Sequence, residues 1–284
     1  MEYGVDEVYK LIAFDMDGTL LNEHKVITKE VIEAVRQAKS ENVKIVLCSG
    51  RSYQGLKQYF EQLGQNVVDY CISFNGALIT DVKNEKNLHE LSLHEEDIHP
   101  IERVSEETGL SVHFVTEKNI YTPNNPIGKY TIHEAYLTNM PLIYSPHSQF
   151  AGEVSPYKAL LSGEKEEIEQ AIEKIPNEIL NTYTFVRSGD FYLEVMKKEA
   201  GKGNALKYLA DVLGIQKEEV VAFGDHENDL SMIQFAGLGI AMANAIDEVK
   251  KAAKVVTKSN QENGVAYGLM KWVLKEAELL PSSF

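Results

Sequence analysis

The stretch Ile12-Ala13-Phe14-Asp15-Met16-Asp17-Gly18-Thr19-Leu20-Leu21 decides how this chain folds. Its apolar start predicts a buried strand, Leu11–Phe14, which leads into two aspartates two residues apart and then into Gly-Thr. Ligands of a parallel sheet bind beyond the carboxyl ends of its strands. Two adjacent carboxylates repel one another and need a cation or a shared proton to coexist. Oxygen ligands of this kind suit Mg²⁺, although the pair taken alone is equally typical of an acidic turn.

Strand and helix patterns alternate around this stretch. A helix capped by Thr28, a strand Lys44–Leu47, a helix Ser52–Leu63 and a strand Tyr70–Phe74 follow it. The alternation returns after Gly201, with helices predicted at 204–213, 230–235, 247–253 and 266–277 and strands at 220–223 and 239–242. This repetition predicts an α/β fold, a Rossmann-like core with a parallel sheet and right-handed crossovers.

The middle of the chain differs from the parts on either side in its proline content and in its predicted strands and helices, and this difference predicts an inserted module. Seven of the 8 prolines fall between Val82 and Val195. Short strands are predicted there at 111–115, 157–161, 183–186 and 191–195, with a turn at 188–190 and helices at 97–107 and 164–174. We therefore expect a discontinuous α/β core domain, residues 1–82 and 196–284, interrupted by an α+β cap domain at 83–195.

Composition limits the classes of function. The net charge of −15 over 284 residues argues against nucleic-acid and anionic-membrane partners, because both attract basic patches. Cys48 and Cys71 lie in apolar runs, which favours buried free thiols over a disulfide framework. No run approaches the ~20 apolar residues of a membrane span, and the first residues lack the pattern of a secretory signal. A cytoplasmic location is expected.

Polar residues follow the ends of several predicted strands of the core. Asp15 and Asp17 follow the first strand, Ser49-Gly50-Arg51 the second, and Gly224-Asp225-His226-Glu227-Asn228-Asp229 a third, while Lys202 lies where the insert returns to the core. Strand ends of one parallel sheet share an edge, so these groups could converge despite their separation in sequence. Taken singly, each has an ordinary reading as a turn, a helix cap or a solvated lysine. Their joint occurrence favours one site.

Such a site has the chemistry of phosphoryl transfer. Asp15, Asp17 and Asp225 offer oxygen ligands for one Mg²⁺ ion. Ser49 and the amide of Gly50 offer hydrogen-bond donors to an anion, and Lys202 adds a fixed positive charge. An aspartate can act as the nucleophile and pass through an aspartyl-phosphate. A second acid two residues away could protonate the leaving oxygen and later activate water.

At these residues the chain resembles the haloacid dehalogenase-like hydrolases, and among them the Cof-type phosphatases with a type 2 (C2B) cap. The resemblance extends over nearly all of the chain. The matching segments are Asp15-Met16-Asp17-Gly18-Thr19-Leu20-Leu21, Ser49-Gly50-Arg51, Ser73-Phe74-Asn75-Gly76-Ala77, Lys202, and Gly224-Asp225-x-x-Asn228-Asp229.

The resemblance implies roles for individual residues. Asp15 is the nucleophile and a metal ligand, Asp17 is the general acid/base and contacts Mg²⁺ through its backbone carbonyl, and Asp225 is the remaining protein ligand. The residues that hold phosphate are Ser49, Gly50, the amide of Met16, Lys202 and Asn228. Lys202 also contacts Asp15. The residues that surround and orient these groups are Thr19, Asn75 and Asp229, and Arg51 is a candidate for substrate specificity.

The sequence and the resemblance together predict a Mg²⁺-dependent phosphomonoester hydrolase for a small phosphorylated metabolite. The resemblance favours a sugar phosphate or a phosphorylated flavin precursor. Its cap excludes water and contacts the rest of the substrate. Cap residues that could line such a site are His113, Tyr121, Lys129, His133, Tyr136, Tyr157 and Arg187. A phosphomutase of the same superfamily, and a non-catalytic phosphate-binding or signalling protein, are the alternatives. A monomer or weak homodimer is expected.

Overall fold

The computed structural model describes residues 9–146 and 155–275. Contacts between residues divide it into two compact units. The first contains the described residues up to His89 and from Gly201, and the second is Glu90–Ala200. The sequence placed the insert at 83–195, which differs from the second unit by a few residues at each end. The first unit is an α/β domain and the second an α+β domain, which confirms the predicted fold class.

The strands are numbered along the whole chain. They are β1 (Leu11–Asp15), β2 (Lys44–Cys48), β3 (Tyr70–Ser73), β4 (Leu78–Asp81), β5 (Lys86–Glu90), β6 (Ser111–Val115), β7 (Ile120–Thr122), β8 (Leu142–Tyr144), β9 (Lys158–Ser162), β10 (Tyr183–Gly189), β11 (Tyr192–Lys197), β12 (Val220–Gly224), β13 (Leu238–Ala241) and β14 (Val255–Val256).

The helices follow the same convention. They are α1 (Lys29–Ser40), α2 (Tyr53–Leu63), α3 (Glu95–Thr108), α4 (Lys129–Thr138), α5 (Lys165–Lys174), α6 (Asn177–Thr182), α7 (Lys202–Leu213), α8 (Leu230–Phe235), α9 (Asp247–Ala252) and α10 (Gly264–Gly268). A π-helical turn, Leu269–Val273, follows α10. Among the described residues, no helix is both long enough and apolar enough to cross a membrane.

The first unit is built on a sheet of eight strands in the order β14-β13-β12-β1-β2-β3-β4-β5. The strands from β14 to β3 run parallel, and β4 pairs antiparallel with β3. All of β1 is buried, and Phe14 stacks on Phe223 of β12 with ring centroids 5.3 Å apart. Asp15 pairs with Cys48, so the carboxyl end of β1 lies beside the loop that begins at Ser49. The central strands thus place the predicted polar groups at one edge.

Local capping explains where the helices beside this edge begin. Thr28 has an extended backbone and its hydroxyl accepts a hydrogen bond from the amide of Val31, which starts α1. Ser52 does the same for Gly55 at the start of α2. Both helices bury an apolar side against the sheet, as the helical spacing of their apolar residues predicts.

The second unit has a sheet in the order β10-β11-β9-β6-β7-β8. One face of it forms an apolar core with α3 and α5, which includes Ile101, Ile168 and Phe114. The alternate residues of these strands lie on the opposite face of the sheet. There Lys158 and Glu194 form a buried ion pair of 2.7 Å, and the Nδ1 atom of His113 lies 3.1 Å from the hydroxyl of Thr131 in α4.

Several elements and element ends differ from the sequence prediction. The strand predicted at Tyr70–Phe74 ends at Ser73, because Phe74 and Asn75 have positive φ angles of 50° and 53°. The helix predicted at 266–277 is the short α10 followed by the π-helical turn, and residues 276 and 277 lie outside the described residues. The elements that were not predicted are short or lack a regular apolar period: strands β4, β5, β7, β8 and β14 and helices α4 and α6.

Candidate active site

A buried lysine joins the ends of two separate segments of the first unit. The ammonium group of Lys202, in the first turn of α7, lies 2.5 Å from Oδ1 of Asp15 at the end of β1. The same nitrogen lies 2.6 Å from Oδ1 of Asp229. The Lys202 side chain is fully buried and the two aspartates nearly so. One cation therefore faces two carboxylates that are far apart in the sequence, and its contact with Asp15 is the one that the resemblance implied.

The loop after β12 completes an acidic cluster. Oδ2 of Asp229 accepts hydrogen bonds from the backbone amides of Asp225 and His226, at 2.9 and 3.1 Å. The hydroxyl of Thr19 donates to Oδ1 of Asp225 at 2.8 Å. Carboxylate oxygens of Asp15, Asp225 and Asp229 all lie within 4.8 Å of one another. Asp229 thus contacts both Lys202 and the Asp225 loop, and the orienting role that the resemblance implies for it stays a prediction.

The donor set of this cluster fits a hard divalent cation. Oδ2 of Asp15 is buried and has no hydrogen-bond partner among the described residues. A buried carboxylate oxygen without a partner is costly, and a metal ion or a phosphoryl group at that position removes the cost. The carboxylate oxygens of Asp15 and Asp225 could hold a divalent metal ion, whereas both oxygens of Asp229 already accept hydrogen bonds within the protein.

Burial controls the charges of these groups. Desolvation, followed by repulsion from Asp229, raises the pKa of Asp15 well above its usual value, although Lys202 opposes the shift. Desolvation and Asp229 also raise the pKa of Asp225. For Lys202, desolvation acts to lower the pKa, but attraction to Asp15 and Asp229 outweighs it and the pKa is raised. The lysine therefore stays charged, while the raised pKa values of Asp15 and Asp225 mean that their negative charges are unfavourable together unless a further cation is present.

The turn after β1 is held by its own backbone and by a distant asparagine. The amides of Leu20 and Leu21 donate to the carbonyls of Asp15 and Met16, at 3.1 and 2.8 Å. Gly18 has a φ of +88°, and a Cβ atom there would collide with the carboxylate of Asp225. Asn244 donates from Nδ2 to the Gly18 carbonyl at 2.8 Å. Sequence analysis missed Asn244, although it follows β13 as the predicted residues follow β1 and β12.

Two cations bind the second aspartate of the motif. Arg51 binds Asp17 through two bonds, Nε to Oδ2 at 2.9 Å and Nη2 to Oδ1 at 2.7 Å. Lys25 donates to Oδ1 at 2.7 Å. Burial acts to raise the pKa of Asp17, but the bonds to Arg51 and Lys25 outweigh it and the pKa is lowered. Arg51 also donates to the hydroxyl of Tyr59 at 3.2 Å. Nothing in the turn sequence around Lys25 signalled its contact with Asp17.

The loop after β2 meets the strained segment after β3. The amide of Asn75 donates to the carbonyl of Ser49 at 2.9 Å, and the amide of Arg51 donates to the Ser49 hydroxyl at 3.2 Å. Asn228 donates from Nδ2 to Oδ1 of Asn75 at 3.0 Å. A Cβ atom at Gly50 would lie 3.0 Å from Nδ2 of Asn75. Asn75 therefore connects the Ser49 loop to the Asp225 loop.

The structure brings the predicted core residues into three connected groups. They are Asp15, Lys202, Asp229, Asp225 and Thr19; Asp17 and Arg51; and Ser49, Gly50, Asn75 and Asn228. The side chain of Met16 is buried in the apolar core, so only its backbone faces the turn. The cap candidates all belong to the second unit, and their contacts with a substrate stay a prediction. Within that unit His113 is fully buried, while Tyr136 is 83% exposed.

Comparisons with known proteins agree with this geometry. A family model described as haloacid dehalogenase-like hydrolase matches residues 12–269. The chain is 43% identical over 270 residues to the Bacillus subtilis protein named "Putative phosphatase YxeH", covering 94% of this chain and 99% of the relative. It is 31% identical over 292 residues to 5-amino-6-(5-phospho-D-ribitylamino)uracil phosphatase YwtE of the same organism, covering 91% and 96%.

Solved structures show the same likeness. A haloacid dehalogenase-like hydrolase from Bacteroides thetaiotaomicron superposes with a TM-score of 0.81 at 30% identity, over 93% of this chain and 99% of that one. The HAD subclass IIB sugar phosphatase BT4131 superposes with a TM-score of 0.75 at 28% identity, over 92% and 98%. The resemblance predicted from the motifs is thereby confirmed.

Proposed function

The chain belongs to the haloacid dehalogenase-like hydrolases, and from this premise we propose that it hydrolyses small phosphomonoesters with Mg²⁺ through an aspartyl-phosphate on Asp15. The contact between Asp15 and Lys202 supports this most directly. One oxygen of Asp15 is bound by the lysine, and the other is buried without a partner among the described residues. A carboxylate held in this way is oriented by one oxygen and leaves the second available.

In the first proposed step, a carboxylate oxygen of Asp15 forms a bond to phosphorus while the bond between phosphorus and the substrate oxygen breaks. Lys202 neutralises charge that collects on the phosphoryl oxygens. Ser49 and the amides of Met16 and Gly50 donate hydrogen bonds to the same group. Asp15, Asp225 and the backbone carbonyl of Asp17 would hold a Mg²⁺ ion, which would lower the repulsion between the carboxylates and the phosphate.

Asp17 manages the proton in both proposed steps. Its carboxyl group gives a proton to the leaving oxygen, and the alcohol departs. The resulting carboxylate then takes a proton from water as the water oxygen attacks phosphorus, which frees Asp15 and releases inorganic phosphate. Arg51 and Lys25 now bind this carboxylate, so we infer that both release it before the proton is transferred.

The proposed substrates are small phosphorylated metabolites. The relatives with printed activities are a sugar phosphatase and an aminouracil phosphatase whose substrate carries a phosphorylated ribityl chain. Both substrates carry phosphate on a polyol chain or sugar. We propose a phosphate on a polyhydroxylated carbon chain as the substrate class, with the sugar phosphate and the flavin precursor as its two candidates.

The experiment measures phosphate release from p-nitrophenyl phosphate and from a panel of sugar and polyol phosphates, with Mg²⁺ and with EDTA. Asp15→Asn should abolish turnover and keep the fold, because the amide is a poor nucleophile of the same shape. Asp211→Asn, an exposed aspartate on α7, is the matched control. Phosphate release that survives in Asp15→Asn would refute the nucleophile, and conversion of substrate to an isomer without net release would indicate a phosphomutase instead.

A further inference from the structure

Exposed apolar side chains are concentrated in one short part of the second unit. Of the ten large apolar side chains that are exposed among the described residues, five lie between positions 132 and 144. They are Ile132, Tyr136, Leu137, Ile143 and Tyr144, exposed by 53%, 83%, 61%, 36% and 47%. We call these five residues the α4–β8 surface. Scattered exposed apolar residues are normal in proteins, whereas a concentrated group marks an interaction site.

The spacing of these residues places them together. Ile132 and Tyr136 are four residues apart on α4, and Leu137 follows on the same solvent side, while Thr131 is buried beneath the helix. A short turn then leads from α4 to β8, which contributes the remaining two residues. The surface therefore combines one side of a helix with the strand that follows it.

Charge is absent from this surface although the chain is strongly acidic. From the start of α4 to the end of β8 the sequence has two residues of fixed charge: Lys129, which forms an ion pair with Glu164, and Glu134, which is partly buried. The chain as a whole carries a net charge of −15. Two copies of such a chain repel one another across most of their surfaces. They approach with least repulsion where neither contributes charge, so this surface suits a second copy of the same chain.

The edge of the sheet favours the same occupant. β8 is an edge strand, and its residues are leucine, isoleucine and tyrosine. Of the other three edge strands, β5 carries Lys86 and Glu90 and β10 carries Arg187, and charged residues discourage pairing with another chain. The two-residue β14 carries no charge. An antiparallel pair formed by β8 and its own copy has a twofold axis, as an isologous interface requires.

The exposed apolar area accounts for part of the area that a dimer contact buries. From their fractional exposures, the five side chains present on the order of 500 Å² of surface per copy. A standard interface buries about 800 Å² per partner, and the core of such an interface is apolar. We propose that the α4–β8 surface is the contact through which two copies form a twofold-symmetric homodimer. This proposal concerns assembly and does not depend on the proposed reaction.

The test measures the mass of the full chain in solution by light scattering and sedimentation, from about 1 μM to about 200 μM. The wild type should pass from 31.9 kDa to twice that mass within this range. Leu137→Glu should weaken dimerisation at least about tenfold, because the charge must be buried in the contact. Val212→Glu changes a residue on α7 in the other unit that is 55% exposed, and should leave the association constant unchanged. Circular dichroism checks that each variant is folded.

A second variant keeps the test decisive if Leu137→Glu does not fold. Cys48 and Cys71 are both buried, so Tyr136→Cys gives the described residues a thiol that is exposed on the α4–β8 surface. Mild oxidation should then give a disulfide-linked dimer, and Val212→Cys should not. A wild type that stays monomeric over the whole range overturns the proposal. So does a dimer whose stability is unaffected by Leu137→Glu and which Tyr136→Cys does not cross-link.

Discussion

Replacing Lys202 by methionine tests whether one cation holds the acidic cluster together. Lys202 lies 2.5 and 2.6 Å from Asp15 and Asp229, and all three side chains are buried. Methionine has a similar length and keeps the packing, but it leaves two carboxylates facing one another beside Asp225. Removing one partner of a buried ion pair costs about 3–5 kcal/mol. We expect Lys202→Met to lower the free energy of unfolding by about this amount and to abolish turnover.

The assay is urea unfolding without metal ions, followed by circular dichroism, with phosphate release measured separately. Adding Asp229→Asn to Lys202→Met should recover part of the lost stability, because it removes one of the opposed charges, and should recover no activity. Lys207→Met, an exposed lysine on the same helix, is the control and should change the unfolding midpoint little. If Lys202→Met unfolds at the wild-type urea concentration, Lys202 does not hold the cluster together and the charge argument is wrong.

Three further predictions concern metal, packing and backbone. Burial raises the pKa of Asp15 and Asp225, so the folded protein binds more protons than the unfolded one, and its metal-free stability falls as the pH rises through these pKa values. Binding of Mg²⁺ requires both carboxyl groups to be deprotonated. Calorimetry should therefore show a larger rise in Tm on adding Mg²⁺ at about pH 8 than at about pH 5. Lys158→Met removes the cation 2.7 Å from the buried Glu194 and should cost about 3–5 kcal/mol in urea unfolding, most of which the added change Glu194→Leu restores. Gly76→Ala should lower the Tm, because φ is +103° there and a Cβ atom would strike the backbone before α7; an unchanged Tm would contradict it.

The sequence was sufficient wherever a polar group follows an apolar run. Asp15, Ser49 and Asp225 each come directly after a run that forms a buried central strand. Strand ends of a parallel sheet meet at one edge, so the pattern located these groups without any knowledge of distances. The same rule applied to β13 would have found Asn244, which supports the Gly18 carbonyl.

Other features of the structure cannot be predicted from the periodicity of apolar residues in the sequence. Lys25 reaches Asp17 from a turn in which its own φ is +59°, and a sequence pattern does not report where such a side chain points. Asn75 connects two loops because Phe74 and Asn75 have positive φ angles, which residues other than glycine seldom adopt. Helix α4 is apolar on the side that faces solvent, so the usual rule for amphipathic helices fails there.

The two aspartates of the first motif are shifted in opposite directions, and each shift is the reverse of what the proposed reaction needs. Asp15 has a raised pKa because it is buried, yet a nucleophile must be deprotonated. Asp17 has a lowered pKa because Arg51 and Lys25 outweigh its burial, yet a general acid must hold a proton. A divalent cation beside Asp15 reverses the first shift. The lowered pKa of Asp17 is reversed only if Arg51 and Lys25 both leave its carboxylate. The phosphate of an incoming substrate offers these two side chains another anion. In the proposed reaction, bound metal would therefore favour the deprotonated nucleophile, and bound substrate would favour the protonated acid.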